Sequence, residues 1–420
     1  VKFLFDFLIL ILPILSALTW AQNYIFCILI CLVVSSTTLI LFFIFEHFFY
    51  SCRPTLKFYF NYLNLKYILA GDFKDEFCIS TSIRPFSVSY FKAYAHITTS
   101  IAILAVDYPC FPRRYAKTET FGYSLMDTGV GVFAFILGLT CAEFRQPTIV
   151  LQILALKLTN YQQHVTEYGT HWNFFLTLGC LKISIIVLTL PRGDTLYAKK
   201  IAWILSLFLI STYEYLLHCR NWSDWILSEN RDLSQILDSN REGIVSLLGY
   251  IPITLAGCQI SQLLYSFRQT FTQYAIVLAK LFALIVICYC ILSILDHFSL
   301  KPSRRLANVM YYFWIIFFCC SHLFLFSLVE LVTRIFELFN LPLAYSEHKV
   351  DFRANFKHLE PCILQRISHN GIFYFLTANL LTGLVNYKFR TIFIDECSIC
   401  FVHLFIYSLF LCFSVYFFRK

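Results

Sequence analysis

TQYAIVLAKLFALIVICYCILSIL, residues 272–295, holds a single charged side chain, Lys280, in 24 positions. As an α-helix rising ~1.5 Å per residue, such a run covers about 36 Å, enough for the roughly 30 Å hydrocarbon core of a bilayer. A helix satisfies its own backbone hydrogen bonds in lipid, so the run predicts a transmembrane helix. Comparable apolar runs occupy residues 3–20, 24–49, 90–108, 125–141, 173–190, 201–218, 242–260, 308–330, 370–387 and 400–418. One more candidate, PTIVLQILALKLT at 147–159, is too short to cross comfortably. The fold class that follows is all-α: a polytopic transmembrane helical bundle of about 11–13 spans. We take residues 1–420 as one integral membrane domain.

Composition agrees. The chain is 59% hydrophobic and 14% charged, against roughly 45–50% apolar and ~25% charged in soluble domains. Lys2, an apolar stretch and Thr19-Trp20-Ala21 can be read as a signal peptide with its cleavage site. Asp6 interrupts that stretch and another apolar run follows almost at once, so a membrane span is the better reading. The chain starts at Val1 rather than Met, and a missing N-terminal stretch is expected.

Most of the 17 cysteines lie inside apolar runs, where a thiol packs as a small hydrophobe. Cys397 and Cys400 form a lone CxxC without a second pair, which reads as span-edge packing ahead of metal or redox work. The formal net charge is +8, with basic residues at run ends: Lys199/Lys200, Arg304/Arg305 and Arg419/Lys420. That distribution fits positive-inside bias and interfacial anchoring. No Lys/Arg stripe interleaved with aromatics marks a nucleic-acid surface. Two longer polar connections, 51–88 and 340–370, interrupt an otherwise continuous bundle without internal repeats.

Five short stretches carry polar residues that simple packing does not require. DYPCFPRRYAKTETFGYSLMD (107–127) sets Asp107, Arg113, Arg114, Lys117 and Asp127 between two apolar runs. Pro109 and Pro112 forbid continuation of a helix past Asp107, so this is a shaped loop at a span's end. Ionisable groups at that depth mark a functional site by default. QHVTEYGTHWNFFLTLG (163–179) brings His164, Glu167, His171, Trp172 and Asn173 to the start of a span. NREGIVSLLGYIPITLAG (240–257) opens on Asn240, Arg241 and Glu242; SRRLANVMYYFWI (303–315) carries Arg304, Arg305 and Asn308; LTANLLTGLVN (376–386) carries Asn379, Thr382 and Asn386.

Each stretch has a plainer reading. Arg at a span end is most often a headgroup anchor, and that is the plain reading of Arg305. Asn379 and Asn386, seven apart on one helix face, are candidates for interhelical hydrogen bonding. His164 and His171 are likewise seven apart, but Gly169 weakens a helical pairing, and two His without a third ligand make a poor zinc site. Gly129-x-Gly131 lacks a nucleotide-fold context and reads as close helix packing.

Taken in order, these five stretches resemble the inositol acyltransferases of GPI-anchor biosynthesis, the PIG-W family. The matching runs extend from about residue 102 to 386, and FLFDFLILILPILSALTWA near the start resembles the family's second span. The resemblance implies about thirteen spans in the endoplasmic reticulum membrane. It also implies transfer of a fatty acyl group, usually palmitoyl, from acyl-CoA to the inositol 2-hydroxyl of glucosaminyl-phosphatidylinositol. The chain departs from the pattern twice: the family's first span is expected to be absent, and the region between Glu143 and Tyr161 is some twenty residues short.

Acyl transfer from a thioester to a secondary alcohol needs a base for the hydroxyl and polarisation of the thioester carbonyl, with both substrates held in contact. Asp107 is the preferred base, and Lys117, ten residues on, would stabilise the developing oxyanion or hold Asp107 in place. The positions matching Asp107 and Lys117 are the family's favoured catalytic pair. His171, beside Trp172 and Asn173, is the competing base; Ser124 as a covalent nucleophile is weaker, having no His or Asp at motif spacing. Arg113, Arg114, Arg241 and Arg304 are candidates for the substrates' phosphates through bidentate hydrogen bonds. Asp127, Trp172, Asn173, Asn240 and Asn386 complete the candidate substrate-binding set. The chemistry needs no metal and no organic cofactor, with acyl-CoA as co-substrate and the lipid bilayer as the other partner. A lipid or organic-anion transporter is the alternative; it predicts repeat symmetry and broken helices in two halves.

Overall fold

The computed structural model describes residues 2–19, 21–27, 85–140, 168–189, 196–228, 234–266, 271–340 and 362–417, with isolated positions in 29–38 and 230–232. The short 147–159 run, His164, Glu167, most of the 51–88 connection and most of the 340–370 connection lie outside them. Among the described residues the regular secondary structure is all helical, with no strand. In chain order the helices are α1 (Lys2–Leu10), α2 (Leu12–Leu18), α3 (Phe86–Ala105), α4 (Thr128–Leu139), α5 (Phe174–Thr189), α6 (Leu196–Cys219) and α7 (Trp222–Leu227). They continue as α8 (Ile236–Ser239), α9 (Arg241–Ser266), α10 (Phe271–His297), α11 (Val309–Asn340), α12 (Cys362–His369), α13 (Gly371–Lys388) and α14 (Cys397–Phe417).

Among the described residues five helical stretches are long and apolar enough to cross a membrane: Ala202–Cys219, Arg241–Tyr265, Thr272–His297, Val309–Thr333 and Cys397–Tyr416. Phe3–Leu18, Thr128–Leu139 and Phe174–Leu188 are shorter apolar helices. The protein is therefore an all-α, multi-pass membrane protein. The 272–295 run lies within α10, and 78% of the α9 window is buried against 22% for α10. An apolar helix that leaves Phe282, Val286, Ile287 and Ile294 uncovered is suited to lipid on that face, whereas α9 is a core helix.

The chain divides into two compact units. The first comprises Val1–Tyr115, Arg268–Ala275 and Phe326–Lys420; the second comprises Ala116–Phe267 and Ile276–Leu325. In the first, α3 packs on α12 and α13, α13 packs on α14, and α2 touches α3 and α14. Its buried carboxylate, Glu330, accepts a hydrogen bond from the Ser87 backbone N–H at 3.1 Å. That N–H is one of the unpaired donors of the first turn of α3, and a carboxylate is the favoured charge at a helix N-terminus.

In the second unit α9 is the centre, packed by α4, α5 and α6. The closeness rests on small residues. A Cβ added at Gly138 would sit 1.9 Å from the Thr254 carbonyl oxygen, and one at Gly257 would sit 2.3 Å from that of Phe135. The two backbones touch, so neither position admits a side chain. Gly131 is equally confined, its added Cβ 2.6 Å from Ile315 Cγ1, while Gly129 faces open space. The close-packing reading thus applies to one glycine of the Gly129-x-Gly131 pair.

Candidate active site

α3 ends because its last amides turn inward. Asp107 N–H donates to the Leu104 carbonyl and Tyr108 N–H to that of Ala105, and Pro109 then removes the next donor. Tyr108 and Phe111 anchor the loop, both fully buried. The Tyr108 hydroxyl shares a 2.8 Å hydrogen bond with His403 Nδ1 on α14. Arg113 folds back to donate to the Val106 carbonyl at 3.2 Å. Arg114 donates to the Gln22 carbonyl at 3.0 Å and lies over the Tyr115 ring, 4.9 Å from its centroid. Both guanidinium-bearing residues remain exposed.

Asp107 is partly exposed, and its Oδ2 accepts a hydrogen bond of 2.7 Å from Asn386 Nδ2. Asn386 Oδ1 in turn accepts from the Thr391 hydroxyl at 3.1 Å, which fixes the amide's orientation. Two candidates 279 residues apart thus meet. Burial raises the Asp107 carboxyl above its ordinary range, opposed by the Asn386 hydrogen bond and the Arg113 charge. A raised carboxyl beside a structured loop is the expected profile of a general base. Asn379, on the same helix face, donates to the Phe375 carbonyl one turn back, rather than bridging to another helix through that amide.

The second unit begins at Ala116, and Lys117 is exposed there. Its loop is closed by Asp127. That carboxylate, fully buried, accepts from the Thr118 hydroxyl at 2.8 Å, the Thr118 N–H at 3.1 Å and the Ser124 hydroxyl at 2.9 Å. Arg304 Nε donates to it at 3.0 Å, and the Tyr311 hydroxyl donates to the Asp127 carbonyl at 2.8 Å. Gly122, at φ 147°, donates its N–H to the Pro302 carbonyl, and the Ser303 hydroxyl donates to that of Thr120 at 2.6 Å. Pro302, Ser303, Arg304 and Tyr311 therefore hold the loop. Ser124 also accepts from the Asp127 N–H at 3.1 Å, which tightens the turn just ahead of α4.

Around the N-terminus of α9 a second knot forms. Glu242, fully buried, receives Arg231 bidentately and Arg305 Nη2 at 3.1 Å. Arg305 also donates to the Glu119 carbonyl at 3.4 Å; it faces the interior, which overturns the headgroup-anchor reading. Arg241 is 1% exposed and donates to the Asn230 carbonyl at 3.0 Å, to Asp238 Oδ1 at 3.1 Å and to the Ser228 carbonyl, with Trp225 stacked at 5.7 Å. Asn240 Oδ1 accepts the His171 N–H at 2.8 Å. Trp172 Nε1 donates to Thr177 at 2.9 Å, and Asn173 Oδ1 accepts the Leu176 N–H at 2.8 Å, capping α5. The Trp172 ring lies over Gly243, where an added Cβ would come within 2.3 Å of it. His171 is exposed.

The predicted residues therefore separate by their partners. Asp127, Arg241, Arg304, Asn240 and Asn173 use polar atoms to hold the protein together. Asp107, Arg113, Arg114, Lys117 and His171 keep solvent-accessible side chains. Thr118 and Arg231 were not legible as site-building residues: a lone Thr and a lone Arg have no pattern, and their partners lie nine and eleven residues away. Among the described residues no group of three or more His, Cys, Asp or Glu is placed to hold a metal ion.

A family model, GWT1, matches residues 1–152 and 148–418. The chain belongs to the GWT1 family. The chain is 33% identical to a GPI-anchored wall transfer protein 1 of Kluyveromyces lactis over 73% of this chain and 67% of that protein. It is 28% identical to the human glucosaminyl-phosphatidylinositol-acyltransferase PIGW over 93% of this chain and 82% of that one. The phosphatidylinositol-glycan biosynthesis class W protein of Dictyostelium discoideum is 30% identical over 74% and 69%. The resemblance carried by the five polar stretches is thus a GWT1-family relationship covering nearly the whole chain.

Proposed function

We propose that this GWT1-family chain is an acyltransferase that moves a long-chain acyl group from acyl-CoA to the inositol 2-hydroxyl of glucosaminyl-phosphatidylinositol in the endoplasmic reticulum membrane. The observation that carries the mechanism is Asp107: a carboxylate at a proline-terminated helix end, held through one oxygen by Asn386 and raised by burial. The family relationship and the relatives' names support the reaction class. None of the three relatives described above is named for transport.

In this reading Asp107 takes the inositol hydroxyl's proton through Oδ1 while Asn386 holds Oδ2. A carboxyl of raised pKa is a stronger base than an exposed Asp, so burial contributes directly to the rate. The hydroxyl oxygen attacks the thioester carbonyl, negative charge develops on the carbonyl oxygen, and Lys117 supplies the opposing charge. Collapse of the tetrahedral species breaks the carbon–sulfur bond and releases CoA, whose thiolate takes up the proton. Arg113 and Arg114, exposed and basic beside Asp107 in sequence, are the phosphate-binding candidates, with bidentate geometry suited to a phosphodiester or pyrophosphate. Arg241 and Arg304 contribute by holding the frame, and Asp127 sets the conformation of the loop that carries Lys117.

The test is expression in cells lacking their own inositol acyltransferase, with labelled palmitoyl-CoA supplied to microsomes. Wild type yields an inositol-acylated glucosaminyl-phosphatidylinositol, and Asp107→Asn at equal abundance does not. Folded, abundant wild type without that product would refute the assignment.

A further inference from the structure

Thr391 lies outside the five polar stretches, in the turn that follows α13. Phe389 closes that helix by donating its N–H to the Val385 carbonyl at 2.8 Å, and its own backbone is extended. Arg390, at φ −78° and ψ 75°, then forms an inverse γ-turn, closed by the Thr391 N–H donating to the Phe389 carbonyl at 3.0 Å. The reversal brings Thr391 back to Asn386, five residues earlier. Thr391 is buried there, while Arg390, Ile392 and Phe393 around it are exposed. Its hydroxyl donates to Asn386 Oδ1 at 3.1 Å, and Asn386 Nδ2 donates to Asp107 Oδ2 at 2.7 Å. All three residues belong to the first unit.

We infer that Thr391 is a positioning residue for the Asp107 carboxylate: through the Asn386 amide its hydroxyl keeps Oδ2 engaged and leaves Oδ1 for the substrate. The catalytic meaning of that role rests on Asp107 being the base. An ionised carboxylate only accepts hydrogen bonds, so the amide must offer it Nδ2, and Oδ1 is left in need of a donor of its own. Thr391 is that donor. Held at both ends, the amide cannot rotate about its last side-chain bond without losing a hydrogen bond. A donor on the amide oxygen also polarises the amide and strengthens the N–H that Asp107 receives. A hydrogen bond to the charged form favours ionisation, so the hydroxyl supports the state in which Asp107 can take a proton. Water on the same oxygen would leave the amide many orientations; a hydroxyl fixed by burial leaves one.

The turn does not depend on this hydroxyl for its place. The Phe389 ring lies 4.9 Å from that of His403, and His403 Nδ1 shares a 2.8 Å hydrogen bond with the Tyr108 hydroxyl. Asp107 and Tyr108 are neighbours in sequence, so the turn meets the loop after α3 twice, once through an amide and once through a ring. Removing the Thr391 hydroxyl leaves the ring contact and the backbone bonds of the turn intact. The charged and titratable groups around the carboxylate also stay as they are. Arg113 favours its ionised form, and Tyr108 is a hydroxyl whose own ionisation the Asp107 charge opposes. On α13, Lys388 lies over the Phe389 ring, 5.7 Å from its centroid. A substitution at 391 therefore isolates what the hydroxyl does to Asn386.

The experiment uses the full chain purified in detergent, as wild type, Thr391→Val, Asn386→Ala and the double variant. Thr391→Val alone lowers kcat roughly threefold, the share of one neutral hydrogen bond. It leaves KM for palmitoyl-CoA unchanged and moves the acid limb of the pH–rate profile to higher pH. In the Asn386→Ala background it changes nothing further, because Thr391 acts through that amide. Thr391→Ser keeps the wild-type profile. Additive losses in the double variant, an acid limb that stays in place, or a serine variant that behaves like the valine one each overturn the inference. If Thr391→Val does not fold, Thr391→Ala takes its place in the cycle. Folded wild type without acylated product refutes the acyl-transfer reading alone. The Asp107 ionisation is then followed by infrared spectroscopy as the carboxyl band that Asp107→Asn lacks. Its midpoint rises in Thr391→Val; a midpoint that does not move overturns the positioning role.

Discussion

Asp107 and Asp127 are the same side chain at two helix boundaries, and their surroundings differ in every respect that matters. Asp127 is fully buried and its carboxylate receives Thr118, Ser124 and Arg304. Asp107 is partly exposed and has one side-chain donor, Asn386, on one oxygen. A carboxylate surrounded by protein donors is a structural joint, because every lone pair is already engaged and removing it strands its partners. A carboxylate with an oxygen to spare, raised by burial, is equipped to accept a proton. The contrast separates residues that build the site from those that act in it.

The largest expected effect is chemical. Asp107→Asn keeps the shape and the Asn386 contact region but removes the base, and acyl transfer falls by roughly 10²–10⁴-fold with the thermal midpoint of the detergent-solubilised protein unchanged. Equal activity in that variant would end the distinction. Asp127→Ala tests the other side. It takes away the carboxylate that the buried, charged Arg304 donates to, at a cost of about 3–5 kcal/mol, read as loss of folded protein in thermal unfolding. If Asp127→Ala folds normally and is merely inactive, Asp127 belongs with the chemistry.

Two smaller effects sharpen the comparison. Asn386→Ala removes a hydrogen bond that favours the ionised carboxylate, worth about 1.5 kcal/mol, or roughly tenfold in rate. Because the base must be deprotonated, activity rises with pH through the Asp107 pKa. That hydrogen bond lowers the pKa, so its removal moves the acid limb of the pH–rate profile to higher pH. An acid limb that stays in place would dissociate Asn386 from the base. Smallest of all is His171→Gln, expected to change the rate by less than about threefold, since Asn240 holds the His171 backbone rather than its ring. A hundredfold loss would move the base to His171.

Much of this was readable in advance. The proline pair at 109 and 112 placed the end of α3, and Asp107 beyond it, because proline acts on its own immediate neighbours. Arg305 was not readable. Its position at a run end suits lipid headgroups, but the chain delivers it to Glu242, 63 residues earlier. Gly129 and Gly131 show the same limit at closer range: two residues apart, one against Ile315 and the other in open space.

The amino-acid order alone determined that the protein lives in a membrane, that it is helical, and which polar stretches ally it with the GWT1 family. Hydropathy, helix-stopping residues and family motifs are properties of short segments, so they can be read segment by segment. Only the tertiary structure decided which of those polar residues are engaged by one another. Asn386 reaches Asp107 across 279 positions and Arg304 reaches Asp127 across 177. Such partners are chosen by helix packing and by the high cost of leaving a buried polar group unmatched, and neither is visible until the helices have come together.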